Sequence, residues 1–165
     1  MVVVEVLLNN LEGLSQPNTS ATSRLLPFAV EASWVTGKWD KLEKYLNGST
    51  VPNSGDFNVG VGHALLALYR NEQGKFLDII HQLRENVAKS LTSPTTVSLQ
   101  ACHDSMLKLH VLTDIEYLSG TSKQKYTDRS LLFELLDRRL EVVGAFLSDK
   151  QYLLGLRRAT MQISR

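Results

Sequence analysis

Residues 37–46 read GKWDKLEKYL and residues 74–83 read GKFLDIIHQL. An offset of 37 residues aligns Gly37 with Gly74, Lys38 with Lys75, Trp39 with Phe76, Leu42 with Ile79 and Leu46 with Leu83. Each copy stands between two stretches of helical apolar spacing. A glycine there admits the tight turn between antiparallel helices, and the aromatic that follows opens the second helix and wedges it against the first. A period of ~34 to 40 residues belongs to tetratricopeptide and HEAT-like hairpins, which bury their apolar faces only by stacking on neighbours. The reading is an all-α stack of helical hairpins with Gly37, Trp39, Leu42, Gly74, Phe76 and Ile79 as repeat positions. Trp39→Ala and Phe76→Ala are each expected to cost about 3 to 5 kcal/mol, the range for a buried aromatic.

Working outward, turn-forming stretches divide the chain: SQPNTS at 15–20, NGSTVPNSGD at 47–56, TSPT at 92–95 and SGTSKQKYT at 119–127. Helices are expected between them, over 21–36, 38–46, 57–71, 75–91, 95–118, 128–147 and 149–164. Ser93 can cap a helix that Pro94 opens with its fixed φ. Ser148 with Gln151 has the spacing of a capping box. Phe133, Leu136, Leu140, Val143 and Leu147 form one apolar stripe, which should face a core. Met106, Leu107, Leu109, Val111, Leu112, Ile115 and Leu118 instead cover most of their helix, the mark of an inner helix packed on two sides. Residues 1–20 are left unplaced, since Val2 to Leu8 suits a helix or a strand, and residues 21–165 form the helical-repeat segment.

Composition narrows the function. Eighteen basic and 17 acidic side chains leave a net charge of +1, too small a field to gather nucleic acid or an anionic membrane. The single cysteine, Cys102, excludes an internal disulfide framework and a cysteine-based zinc site. MVVVEVLL lacks a basic flank and falls short of the ~20 apolar residues of a membrane span.

No candidate site survives a comparison with its simplest alternative. Gly60-Val61-Gly62 lacks the third glycine and the Lys-Ser or Lys-Thr of a phosphate loop, so close helix packing is the better reading. His103 and His110 are two turns apart rather than the i, i+4 of a helical zinc pair, and His63 and His81 have no local partners. Cys102 has no neighbouring base and reads as a small core residue. Neither H-R-D nor D-F-G occurs, so no catalytic residue, cofactor or metal ligand is assigned. Arg138, Arg139, Arg157, Arg158 and Arg165 read as solvated basic faces, with Glu134 to Arg138 as an i, i+4 pair, and Arg157→Ala should cost little.

Several of these stretches resemble one family. LLPFAVEASWVTGKWDKLEKYL (25–46), DFNVGVGHALLALYRNEQGKFLDIIHQLRENV (56–87), LKLHVLTDIEYLSG (107–120) and RRLEVVGAFLSDKQYLLGLRRA (138–159) are similar to the FAT region of phosphatidylinositol 3-kinase-related kinases, most of all the fungal ATR-type DNA-damage checkpoint kinases. The matching patterns are E-A-[AS]-W at 31–34, W-[DE]-x-L at 39–42, L-H-[VM]-L-x-[DE]-[IL]-E at 109–116 and L-x-L-R-R-A at 154–159. The resemblance covers roughly residues 22–165. It implies a right-handed α-solenoid without catalytic residues that supports a serine/threonine kinase domain, in a nuclear protein much longer than this chain. The partners it implies are that kinase domain and neighbouring repeats, with an obligate regulatory subunit and a second copy of the parent as further candidates, and neither nucleic acid nor membrane. The alternative is a stand-alone helical-repeat adaptor that binds peptides or partner proteins on its concave face.

Overall fold

A computed structural model of the chain describes residues 19–48, 55–92, 98–121 and 128–164. Within them the fold is all-α: α1 (Thr19–Val35), α2 (Trp39–Gly48), α3 (Phe57–Tyr69), α4 (Gln73–Thr92), α5 (Leu99–Ser119), α6 (Arg129–Val142) and α7 (Leu147–Ile163). The unplaced N-terminal segment, Ser93 and Pro94 lie outside the described residues or border them. Asp56, Ser98 and Asp128 cap α3, α5 and α6, each accepting a hydrogen bond from a first-turn N–H that the helix itself leaves free. The capping box expected at Ser148 does not form. α7 begins one residue earlier, behind Phe146, and the Ser148 hydroxyl donates to Asp149 Oδ1.

The turns within the first two hairpins are the same motif. Lys38 N–H donates to Ser33 C=O at 2.9 Å and Gly37 N–H to Trp34 C=O at 3.2 Å, while Glu72 N–H donates to Ala67 C=O at 2.9 Å and Asn71 N–H to Leu68 C=O at 3.0 Å. This is a Schellman pair, and its left-handed residues are Gly37 at φ 69° and Asn71 at φ 59°. The structural repeat therefore has the offset from Gly37 to Asn71, 34 residues, rather than the 37 read from the sequence. Gly74 is not the turn glycine; it sits in the first turn of α4 with open space around it. In the structural register Leu42 corresponds to Phe76 and Leu46 to Ile80, and all four are buried. Trp39 corresponds to Gln73, and Ile79 flanks the core half-buried.

Packing follows from this register. α3 lies against α1, α2 and α4, and α4 carries the stack on to α5. Gly60 and Gly62 do serve close packing. A methyl at Gly60 would stand 2.5 Å from Leu83 Cδ2, and one at Gly62 would stand 2.4 Å from Val30 Cγ1. Across α4 and α5 the Arg84 guanidinium meets both Glu116 oxygens, at 2.7 and 2.5 Å. α5 is an inner helix, packed between α4 and α7. The stripe on α6 is covered only in part: Leu136 and Val143 are buried and Leu140 half-buried, but Phe133 and Leu147 are exposed. The physical reason is that α6 stops at Val142 and Gly144 turns the chain at φ 95°, so Leu147 belongs to α7 and leaves the stripe.

Candidate functional site

α7 does more than extend the stack. It turns back to lie against α5, α1 and α3 together, whereas in an open solenoid each repeat meets only its neighbours. Trp34 of α1 and Tyr152 of α7 meet edge to face, with centroids 5.8 Å apart at 82°. Gly155 of α7 also faces the indole, and a methyl there would meet it at an ordinary packing distance of 3.8 Å. Tyr152 hydroxyl donates to Asn58 Oδ1 of α3 at 2.9 Å. Burial, then the Glu31 and Asp56 carboxylates, push its phenol well above the ordinary range, so it remains a donor. Arg158 Nη2 donates to the Val35 carbonyl at 2.6 Å, placing a cation on the C-terminus of α1, where the helix dipole favours one. His103 Nε2 lies 2.9 Å from Asp149 Oδ2 and joins α5 to the first turn of α7.

Beside these contacts, through Arg157 of α7, stands a charged node. Asp114 of α5 is fully buried and holds two guanidiniums. Arg139 of α6 donates from Nε to Oδ1 at 2.5 Å, and Arg157 of α7 donates from Nε to Oδ2 at 2.8 Å. The remaining donors reach backbone: Arg139 Nη2 to His110 C=O at 3.2 Å and Arg157 Nη2 to Leu136 C=O at 2.8 Å. Arg139 also lies over the Tyr117 ring, 5.8 Å from its centroid. A buried charge is tolerated only when paired and hydrogen-bonded in this way.

The sequence reading of these arginines is corrected here. Arg157 is a buried side chain and Arg139 a largely buried one; among the described residues Arg138, paired with Glu134, and Arg158 keep the exposed setting expected of them, and Arg165 lies outside those residues. The signal for Arg157 was present: leucines and alanine on the flanking positions 153, 156 and 159 place it beside the buried stripe of α7. What the sequence did not show is which carboxylate it meets. Asp114 lies in the 109–116 pattern and Arg157 in the 154–159 pattern, so two of the motifs that carry the family resemblance touch each other in the fold.

The other residues singled out are dispersed. His63 lines an open groove of about 570 Å³ between α3, α4 and α5 that also carries Lys75 and Lys108. Burial, and then the Lys75 ammonium, hold its imidazole below the usual range. His110, beside the node, is also lowered, by burial first, then by Arg139 and Arg157 against the opposing pull of Asp114. Its Nδ1 is buried without a hydrogen-bond partner among the described residues. His81 is exposed beside Glu85. Cys102 is exposed rather than part of the core, on the first turns of α5. Trp39 is half-buried and stacked on Tyr69, with centroids 5.2 Å apart at 15°; the fully buried wedge is Trp34. Among the described residues no group of three or more His, Cys, Asp or Glu is placed to hold a metal ion, and no helix is long and apolar enough to cross a membrane.

The chain is 29% identical over 150 residues to serine/threonine-protein kinase MEC1 of Kluyveromyces lactis, an alignment covering 86% of this chain and 6% of that protein. No solved structure matches it. The family model described as FAT domain matches residues 26–165, nearly the whole stack from the middle of α1 onward, and the chain accordingly belongs to the FAT domain family.

Proposed function

We propose that this chain is the non-catalytic scaffold segment of an ATR-type checkpoint kinase, acting in DNA-damage signalling in the nucleus, and that it supports and regulates a serine/threonine kinase domain carried elsewhere in the parent protein. The observation that carries the reading is the meeting of Asp114 with Arg157. It joins two stretches shared with that family and fixes α7 across the stack. A helix seated by rings, hydrogen bonds and a buried charge pair makes a stiff element that can hold a neighbouring domain in register. The adaptor alternative needs an open face for a peptide. Here α7 covers the side of α1, α3 and α5 that it packs on.

The experiment is done in the full-length parent. Asp114→Asn and Trp34→Ala disturb the seat of α7 at two separate contacts, Arg157 and Tyr152, without touching any catalytic-domain residue. Kinase activity on a peptide substrate, normalised to soluble full-length protein, should fall in both. Activity equal to wild type in both variants, with α7 shown by proteolysis to be unseated, would refute the scaffold reading.

A further inference from the structure

We propose that α6 is a releasable arm, docked through Arg139 onto a buried carboxylate that keeps a second charge partner when α6 leaves. Among the described helices α6 is the most lightly held. It packs on α5, and Leu136 is its one buried residue between Arg129 and Val142. Its outward side chains Leu131, Phe133 and Val142 are 55%, 45% and 60% exposed. Few buried apolar contacts mark an element that opens locally at a low free energy.

Beside Leu136 and half-buried Leu140, what docks α6 is polar. Arg139 grips Asp114 Oδ1 and the His110 carbonyl, and the Leu136 carbonyl receives Arg157. Arg157 holds Asp114 independently of α6, with Nε and Nη2 at 2.8 and 2.7 Å from Oδ2. Its side chain is 6% exposed, against 19% for Arg139. With α6 docked, two guanidiniums surround one carboxylate, an excess of one positive charge. When α6 lifts away the surplus guanidinium goes to water, and Asp114 and Arg157 remain as a neutral pair. Opening a buried ion pair is costly chiefly because it orphans a charge, and this opening orphans none. The joint is suited to it as well. Gly144 connects α6 to α7 at φ 95°, a conformation that glycine adopts freely, with nothing around it within 4 Å of where a side chain would begin.

The inference deepens the scaffold reading, because coupling through a scaffold requires a packed element with two arrangements. Its test reads motion in the chain rather than kinase activity, so either idea can fail alone. Hydrogen exchange is followed by mass spectrometry on the whole 165-residue chain and on Arg139→Gln, Arg139→Lys and Arg157→Gln. In the wild type, residues 129–142 should exchange faster than α5 or α7. Arg139→Gln should accelerate them further by about ten- to a hundredfold, the equivalent of one charge-assisted hydrogen-bond set, leaving α1 to α4 and α7 unchanged. Arg139→Lys, which keeps the charge but not the fork, should fall between. Arg157→Gln should accelerate α5, α6 and α7 together. The idea is overturned if α6 exchanges in step with α5 and α7 in the wild type, if Arg139→Gln accelerates every helix alike, or if Arg139→Gln does not fold.

Discussion

Two glycine-to-alanine substitutions, twelve residues apart in sequence, should change stability in opposite directions. At Gly62 the new methyl would stand 2.4 Å from Val30 Cγ1 and 3.5 Å from Leu42 Cδ1. Carbon atoms pack best at about 3.5 to 4.0 Å, so the first contact is more than an ångström too close. Val30 cannot easily give way, because it is fully buried and its β-branched side chain has one strongly preferred rotamer in a helix. Overpacking of this kind costs about 1 to 3 kcal/mol, and the helix propensity gained over glycine returns at most about 1 kcal/mol. With Val30 held in place the overpacking belongs in the upper part of that range, and Gly62→Ala should thus lose about 1 to 2 kcal/mol net. At Gly74 a methyl meets nothing within 4 Å, and the backbone is already helical. Gly74→Ala should gain about 0.5 to 1 kcal/mol. Urea unfolding followed by helical circular dichroism measures both, with unchanged m-values confirming that the surface exposed on unfolding is the same in each variant. Gly62→Ala as stable as wild type would refute the close α1–α3 approach. A destabilised Gly74→Ala would restore that glycine to a turn and with it the 37-residue register.

Other substitutions separate the node from its surroundings. Arg157→Ala should cost about 1.5 to 3 kcal/mol in the same assay, since it removes the charge-assisted hydrogen bonds of a buried guanidinium while Asp114 keeps Arg139, whereas Arg158→Ala should cost no more than about 1 kcal/mol. Trp34→Ala should lose about 3 to 5 kcal/mol and half-buried Trp39→Ala clearly less, which reverses the ranking expected from the 37–46 stretch. Acid should weaken the fold. His110 and His63 have imidazoles lowered from 6.5, so their contribution is complete above that pH and is lost as pH falls through it toward their folded-state values. Glu31, raised from 4.5 by burial, acts oppositely, favouring the fold at low pH and losing that contribution as pH rises through its folded-state value. Melting curves between pH 7 and 5 should therefore fall, and His110→Gln should flatten the slope.

Helix number and order were legible because each helix has its own apolar spacing and its own turn residues. The register of the repeat was not. Gly37 and Gly74 look equivalent as letters, but the αL position of the second turn is filled by Asn71, a residue whose short amide side chain also tolerates that conformation. An aligned glycine and aromatic thus pointed to the wrong offset, and only the backbone bonds from Lys38 and Glu72 show the right one. The glycines of α3 were read correctly as packing positions, because a missing phosphate-loop pattern could be judged within the sequence itself.

Arg157 failed for a different reason, which bears on how such chains are read. A periodicity argument assumes that charged residues at the edge of an apolar stripe face water, and for a repeat that meets only its neighbours this usually holds. α7 breaks the assumption by crossing back to α1 and α3 while resting on α5. One edge of its stripe is then covered, and an arginine there is stable only if a carboxylate is brought to the same place. Asp114 is that carboxylate, forty-three positions earlier. No local pattern could connect them, since the pairing depends on the long-range return of α7. The converse is testable. If Asp114 is there because α7 returns, then Asp114→Leu combined with Arg157→Met, which replaces the pair by apolar side chains of similar bulk, should recover much of the roughly 1.5 to 3 kcal/mol that Arg157→Ala loses. It should do so while α6, deprived of its docking carboxylate, exchanges faster. Recovery of stability without any change in α6 would mean that Arg139 does not hold that helix.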